Sequence, residues 1–578
     1  MRKFIGIKSK FSCFVLAFVM LFGLYGTLAG CGGKNDGGAA NVVSEPAGNI
    51  VMPNYDTQVI TKTNLKKPSV KTFGKHDVSY YPSYTNKLAS ADFDNAKKTE
   101  ILAENQEMLA DTKAWFEAGT LRSNLKKHVS ADGQFFNANG SYDNAPRIEK
   151  VITVNGTTAS RKRSLGVFAP AGEVLTITID ESMKGKLTVN IGYPYGDNDI
   201  GSGKFGRWPN DRMARFYLSF KLTETVTEIG SPLGGIVSLD GGSGMGNYKI
   251  TVSGGIDMPD YKLGVSTQKD WQNILKSPAP YVWLLTPYQY LVMPKAYISD
   301  IEDPYNALMW WHKASMISMY AIAREDTAHF MTPIVCTFDS YVYVGEGVAA
   351  TWAFYTNAPN SWCHGVLDYE NLMHNGAWGA IHEYNHHHQA HAYPFNFNTD
   401  WGVGYVEEIT NNVLSAASYI LLTDIASTRS ESNILGVWNG VSDPYCNYRL
   451  LQNASAGKTT YEQLGTSKLF GFVDMMHTFG AGKFLDFIRA IYGYGDPVAG
   501  YTGKNMTQDA SLTNMDNFAL FACLFYKTDF VDYFTNVWHF NLSADTVSKI
   551  KSYNFEPYFS INNLYSAGVK GVETGRAY

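Results

Sequence analysis

The sequence predicts a multidomain α+β protein in which a β-sandwich-like domain precedes a mainly helical one. Three observations predict it. The 578-residue chain is long enough for more than one buried core. Between about 150 and 265, short β-branched runs alternate with turns rich in Gly, Asn, Asp and Pro. From about 268 onward, apolar residues recur at helical spacing instead. Hydrophobic content of 45% and charged content of 17% are those of a globular protein. A net charge of −5 with no basic stripe argues against nucleic acid as a partner.

In chain order, Arg2, Lys3, Lys8 and Lys10 form a basic start to "FSCFVLAFVMLFGLYG", an apolar run short for a membrane span. It ends in "LAGC", which resembles the bacterial lipobox. By that resemblance residues 1–31 are a lipoprotein signal peptide, and Cys31 is lipidated to become the first residue of the mature chain. Residues 32–50, rich in Gly, Asn and Ala, read as a flexible tether. Residues 51–150 read as a small, partly helical N-terminal domain, with helical spacing in the run 92–119.

Residues 151–267 read as the sandwich, with strands in "KVITVNG", "EVLTITID", "GKLTVNIGY", "ARFYLSFKL" and "NYKITVSGG". The Gly-rich "LDGGSGMGN" at 239–247 reads as a hairpin loop, because it lacks the Lys-Ser/Thr ending of a phosphate cradle. Residues 268–555 read as the helical domain, with helices in "DPYNALMWWHKASMISMYAIA", "YVEEITNNVLSAASYILLTDIA", "KLFGFVDMMHTFGAGKFLDFIRAIYG" and "DFVDYFTNVW". Residues 556–578 read as a tail. Cys336, Cys363, Cys446 and Cys523 show no CxxC pair, so two disulfides or none are both open and no cysteine zinc site is indicated.

The chemistry concentrates in "GAWGAIHEYNHHHQAHAYPF", residues 377–396, which holds five histidines and one glutamate. His382, Glu383 and His386 spell HExxH. On a helix, residues four apart share a face, so two imidazoles can bind one Zn²⁺ while the adjacent glutamate reaches a water on it. A catalytic zinc needs a third protein ligand and one open position. Glu407 and Glu408, about twenty residues on, lie on a second helix that the intervening loop allows to pack antiparallel. His387, His388 and His391 fall on other faces and read as supporting or surface residues. Against this stands a nonspecific histidine tract that caps and hydrogen-bonds. The order of residues and the acidic pair favour catalysis.

"GAWGAIHEYNHHHQ" followed by "EEITNN" resembles the M60-like (enhancin-related) peptidases, whose pattern is HExxH, a variable gap, then Glu. "RSLGVFAPAGEVLTI", "GSPLGGIV", "DMPDYKLG" and "KTDFVDYFTNVW" extend the likeness over roughly residues 160–545. "YVWLLTPYQYLVMP" departs from it, since the family often carries an acidic residue after an aromatic pair there. That departure bears on substrate preference and not on the zinc site. The resemblance implies a zincin-type catalytic domain holding one zinc per chain. It assigns His382 and His386 as ligands, Glu383 as general base, and Glu408, which directly precedes "ITNN", as third ligand over Glu407.

Water polarised by such a zinc would attack the scissile carbonyl as Glu383 takes its proton. Tyr405, His388 and His391 are local candidates for the oxyanion donor. The resemblance implies host O-glycosylated, mucin-like glycoproteins as substrate, cut by an enzyme lipid-anchored to the bacterial cell envelope and exposed at its surface. Two other classes compete: a surface lipoprotein that binds glycan or host protein through a non-catalytic metal site, and a metal scavenger using the histidine tract.

If "LAGC" directs lipidation, Cys31→Ser should move the protein from the membrane fraction to the soluble one. Unchanged fractionation would point to another tether or an ordinary signal peptide.

Overall fold

The computed structural model describes residues 55–67, 78–80, 144–156, 162–170, 173–192, 217–231, 234–321, 333–339, 347–350, 353–357, 364–389, 406–423, 451–452, 454–491 and 512–560. The lipobox, the tether and the helical run 92–119 lie outside them. The strands before Tyr261 among the described residues are β1 (Thr57–Leu65), β2 (Val78–Tyr80), β3 (Arg147–Asn155), β4 (Arg163–Ala169), β5 (Val174–Ile179), β6 (Leu187–Gly192), β7 (Tyr217–Lys221), β8 (Val226–Gly230), β9 (Gly235–Gly241), β10 (Asn247–Ser253) and β11 (Ile256–Asp257), of which the alternating runs supply β3, β5, β6, β7 and β10. One sheet runs β1-β3-β10-β5-β8 and the other β11-β4-β9-β6-β7-β2. Period-two side chains such as Ile152, Ile177, Val189, Leu239, Ile250 and Val252 form the core between them.

Two expectations change here. Residues 57–65, read as part of a separate N-terminal domain, are the edge strand paired with β3. The Gly-rich loop is not a hairpin: β9 pairs with β4 and β6, while β10 pairs with β3 and β5, so the loop carries the chain from one sheet to the other. Alternation fixes which face is buried and leaves the pairing partner open.

Buried charge marks the C-terminal edge of the sandwich. Arg147 makes a bidentate pair with Glu173, both bonds 2.6 Å, and Lys150 meets Asp257 at 2.5 Å. Arg147 and Glu173 are taken from water together, which makes that contact demanding of geometry more than stabilising, while Asp257 keeps partial access to solvent. Asp260 accepts from Ser164 Oγ at 2.7 Å and from Gln58 Nε2 at 2.5 Å. Burial raises its pKa above the ordinary carboxylate value. Between Asp257 and Tyr261 the chain leaves the sandwich and enters a third sheet.

The second half is mainly helical, as expected, and that sheet is an addition to it that the sequence reading did not foresee. The sheet orders β12 (Tyr261–Lys262), β13 (Tyr281–Leu285), β14 (Gln289–Pro294), β15 (Ile334–Asp339), β17 (Ala353–Asn357) and β16 (Gly347–Ala350). Its pairs are mixed, with β14–β15 and β15–β17 parallel. Every residue of β13 and β14 is buried. Strands covered on both faces show no alternation, so "YVWLL" and "QYLVMP" carry no period to read.

Among the described residues the α-helices are α1 (Gln268–Lys276), α2 (Tyr305–Ala321), α3 (Tyr369–Asn375), α4 (Trp378–Gln389), α5 (Val406–Leu422), α6 (Lys468–Phe479), α7 (Ala481–Ile491), α8 (Asn514–Tyr526), α9 (Val531–Asn536) and α10 (Ala544–Ser552). The long run 468–493 breaks in two at Gly480, whose φ of 87° no continuing helix allows. Asp474 on α6 is fully buried and accepts hydrogen bonds from Tyr533 at 3.0 Å, Tyr558 at 2.8 Å and Ser560. Two short strands, β18 (Thr528–Asp529) and β19 (Glu556–Pro557), also pair, so the first residues of the predicted tail are docked on the helical core. Cys523 stands in no disulfide, and burial pushes its thiol pKa up to about 12. Cys336 is buried in the third sheet. Cys363 and Cys446 lie outside the described residues.

Trp538 lies directly on Gly471 of α6, where an added Cβ would stand 2.0 Å from the indole. Gly471→Ala should therefore destabilise the protein by about 1–3 kcal/mol through overpacking, read as a lower unfolding midpoint in urea. A wild-type midpoint would show that the indole is free to shift.

Candidate metal centre

The glycine-rich lead-in to the histidine cluster serves the turn between α3 and α4. Gly376 has φ 68° and its N–H donates to the carbonyls of Asn371 and Leu372, closing α3. A Cβ there would stand 2.2 Å from the Tyr419 ring. Only glycine lets the chain reverse beneath that side chain and start α4.

One face of α4, made of Ala380, Ile381 and Tyr384, enters the core shared with Trp311, Leu372 and Tyr419. Asn385 is fully buried and joins two neighbouring helices. Ser318 of α2 donates to its Oδ1 at 2.6 Å, and its Nδ2 donates to Ser415 Oγ of α5 at 3.0 Å. These bonds fix the rotation of α4 and turn His382 and His386 to a less buried side.

The two imidazoles converge there. His382 Nε2 and His386 Nε2 are 3.2 Å apart, with ring planes at 87°. His382 Nδ1 is 2.8 Å from Asn412 Oδ1 on α5. An amide oxygen only accepts, so the ring hydrogen lies on Nδ1 and the Nε2 lone pair faces His386. Glu383 is 7% exposed, and its Oε1 lies 3.9 Å from His382 Nε2. The residues fit zinc. An ion at about 2.0–2.1 Å from both nitrogens would subtend roughly 100° between them, close to the tetrahedral angle.

α5 runs antiparallel to α4, as its spacing predicted. Partner positions fall along α5 as α4 advances, from Tyr419 beside Trp378 to Asn412 beside His382. Ser415 takes Asn385 from the adjoining row. Position 408 stands one turn before Asn412 on α5. Position 407 is about 100° round the helix from 408. The side chains of Glu407 and Glu408 lie outside the described residues, as do Tyr405 and His391. Among the described residues no three His, Cys, Asp or Glu are placed to hold a metal ion together; two imidazoles converge, and the Glu383 carboxylate stands 3.9 Å from one of them.

His388 is 1% exposed and packs on Tyr384, ring centroids 4.7 Å apart. That is the far side of α4 from His382, so His388 is a core residue and drops out as an oxyanion donor. His387 is also buried. Sequence reasoning passed over Asn385, Asn412, Ser318 and Ser415. The signal for Asn412 was present, since it stands four residues after Glu408.

Residues 143–253 match the N-terminal domain of M60-like peptidases, and residues 254–538 match peptidase M60, enhancin and enhancin-like. Antigenic protein P1 of Entamoeba histolytica is 28% identical over 511 residues, covering 86% of this chain and 43% of that protein. Antigenic protein NP1 of the same organism is 29% identical over 387 residues, covering 64% of this chain and 56% of that one. The chain thus spans about half the length of these relatives. The IMPa metallopeptidase from Pseudomonas aeruginosa superposes with a TM-score of 0.52 at 14% identity, covering 86% of this chain and 66% of that one. IMPa solved in complex with an O-glycopeptide superposes at 0.50 and 14% identity, covering 71% and 52%. A functionally unknown conserved protein from Bacillus anthracis, solved as a mutant, superposes at 0.50 and 17% identity, covering 72% and 81%. At such identities the likeness is one of fold.

Proposed function

We propose that this chain, which belongs to the peptidase M60 (enhancin and enhancin-like) family, is a zinc-dependent endopeptidase acting on O-glycosylated, mucin-like proteins. The observation that carries the reading is the convergence of His382 and His386 at 3.2 Å with Glu383 beside them. His382, His386 and Glu408 would hold one zinc. The position of Glu408, one turn before the residue that contacts His382, supports it as third ligand over Glu407.

When bound, zinc would supply Lewis-acid polarisation of the scissile carbonyl and make nearby water more acidic. The work of the chain is to place protons. Glu383 takes a proton from the attacking water and delivers it to the departing amine, a single carboxylate serving as base and then acid. Burial of Glu383 keeps competing water from that exchange.

Family membership and the O-glycopeptide bound by IMPa support a glycoprotein substrate. A lipid anchor at Cys31 would hold the enzyme at the envelope surface, where such polymers arrive. Polar groups that pair with sugar would be left unpaired on a bare peptide, so discrimination should be large.

Purified protein should retain near one equivalent of zinc after dialysis, and His386→Ala should lose it. Glu383→Gln should keep the metal and the fold while turnover falls by about 10²–10⁴-fold. Mucin-type glycoprotein should be cut much faster than its enzymatically deglycosylated form, with new termini beside glycosylated Ser or Thr in mass spectra. Equal cutting of both forms would reject glycan dependence and keep the peptidase. Zinc present with neither form cut would favour a binding lipoprotein.

A further inference from the structure

We infer that Asn412 is a positioning residue for the metal, fixing the tautomer and the angle of the His382 ring and so setting the affinity for zinc. The inference rests on reading His382 as a ligand. Asn412 is 8% exposed, and its Oδ1 meets His382 Nδ1 at 2.8 Å. A neutral imidazole left to itself prefers its hydrogen on Nε2, the nitrogen that must be bare to bind metal. An acceptor held on the Nδ1 side reverses that preference.

Asn412 is well placed to do so because its own position is over-determined. Three residues further along α5, Ser415 takes the bond from Asn385, and one turn beyond that, Tyr419 packs on Trp378. The hydrogen bonds His382–Asn412 and Asn385–Ser415 therefore tie the same two helices together on adjacent rows. The His382 ring cannot turn without either losing its acceptor or leaving the 3.2 Å convergence with His386.

The residue type carries a second consequence. An amide orients the ring without adding charge, whereas a carboxylate in the same place would also make the imidazole a stronger donor to the metal. Asn412 thus aims the ligand without raising its basicity, leaving the site a weaker zinc binder than the same geometry with aspartate.

The test is competition for zinc between a chromophoric chelator and the full chain in detergent, comparing wild type, Asn412→Leu and Asn412→Asp. Asn412→Leu keeps the size and removes the acceptor, and its Kd for zinc should rise about 10–100-fold. Asn412→Asp keeps the acceptor and should bind zinc as tightly as wild type or more tightly. An Asn412→Leu variant with wild-type affinity overturns the inference and leaves the peptidase reading standing. If Asn412→Leu does not fold, Asn412→Asp decides alone, since weakened zinc in an isosteric acceptor overturns the role. A wild-type chain that holds no zinc against the chelator overturns both this inference and the ligand assignment.

Discussion

The arrangement of the site depends on a buried amide that is not part of the motif's chemistry. Asn385 sits between Ser318 and Ser415 with both ends of its amide engaged and no exposure to solvent. A single amide can accept from one helix and donate to another, which a hydrophobic side chain cannot do. Leaving either end of that buried amide unpaired would cost about 1–3 kcal/mol, whereas both hydroxyls also have a carbonyl of their own helix to donate to. The bonds therefore admit one rotation of α4 between α2 and α5. His382 and His386 flank Asn385 in sequence, so the aim of both imidazoles follows from it.

The same logic of buried polar contact sets the half of the molecule that carries the site against the sandwich. Asp260 is held by Ser164 from β4 and by Gln58 from the edge strand β1. Lys262, two residues on, donates to the carbonyl of Asp56 at 2.6 Å. Tyr281 at the start of β13 stacks near Phe168 of β4, centroids 6.3 Å apart. The stretches "RSLGVF" and "DMPDYKLG", prominent in the sequence only as family landmarks, are thus two sides of one joint. At the point where the chain changes sheets, the buried Asp260 carboxylate is satisfied by neutral donors and the Lys262 ammonium by a carbonyl.

Within the helical region, Asp474 plays a comparable part. A carboxylate at zero exposure is tolerable because three hydroxyls donate to it, from α9 and from the segment after β19. Burial chiefly, and then the Asp474 charge, push Tyr533 and Tyr558 well above the ordinary phenol pKa, so both stay protonated donors. Stacked aromatics such as Phe530 with Phe534 and Phe534 with Phe540 fill the space around this polar core. Much of the chain's aromatic content serves such packing.

What the sequence by itself determined is whatever a local period can encode. Four-residue spacing on one helix was enough to put His382 beside His386 and Glu383 next to them, because helical geometry fixes that placement without help from the rest of the chain. Alternation located β3, β5, β6, β7 and β10, since each has one face in the core. The tertiary structure decided what has no period. β13 and β14 are buried on both faces and read as featureless apolar runs. The exit from β9 to β10 crosses between sheets because strand partners are chosen at long range. The burial of His388 comes from what packs on that side of α4, which no spacing within the helix specifies. Asn412 acquired a role when α5 came to lie across His382, thirty positions away in the chain. A hydrogen bond between two helices is a property of their packing, and no spacing within either one specifies it.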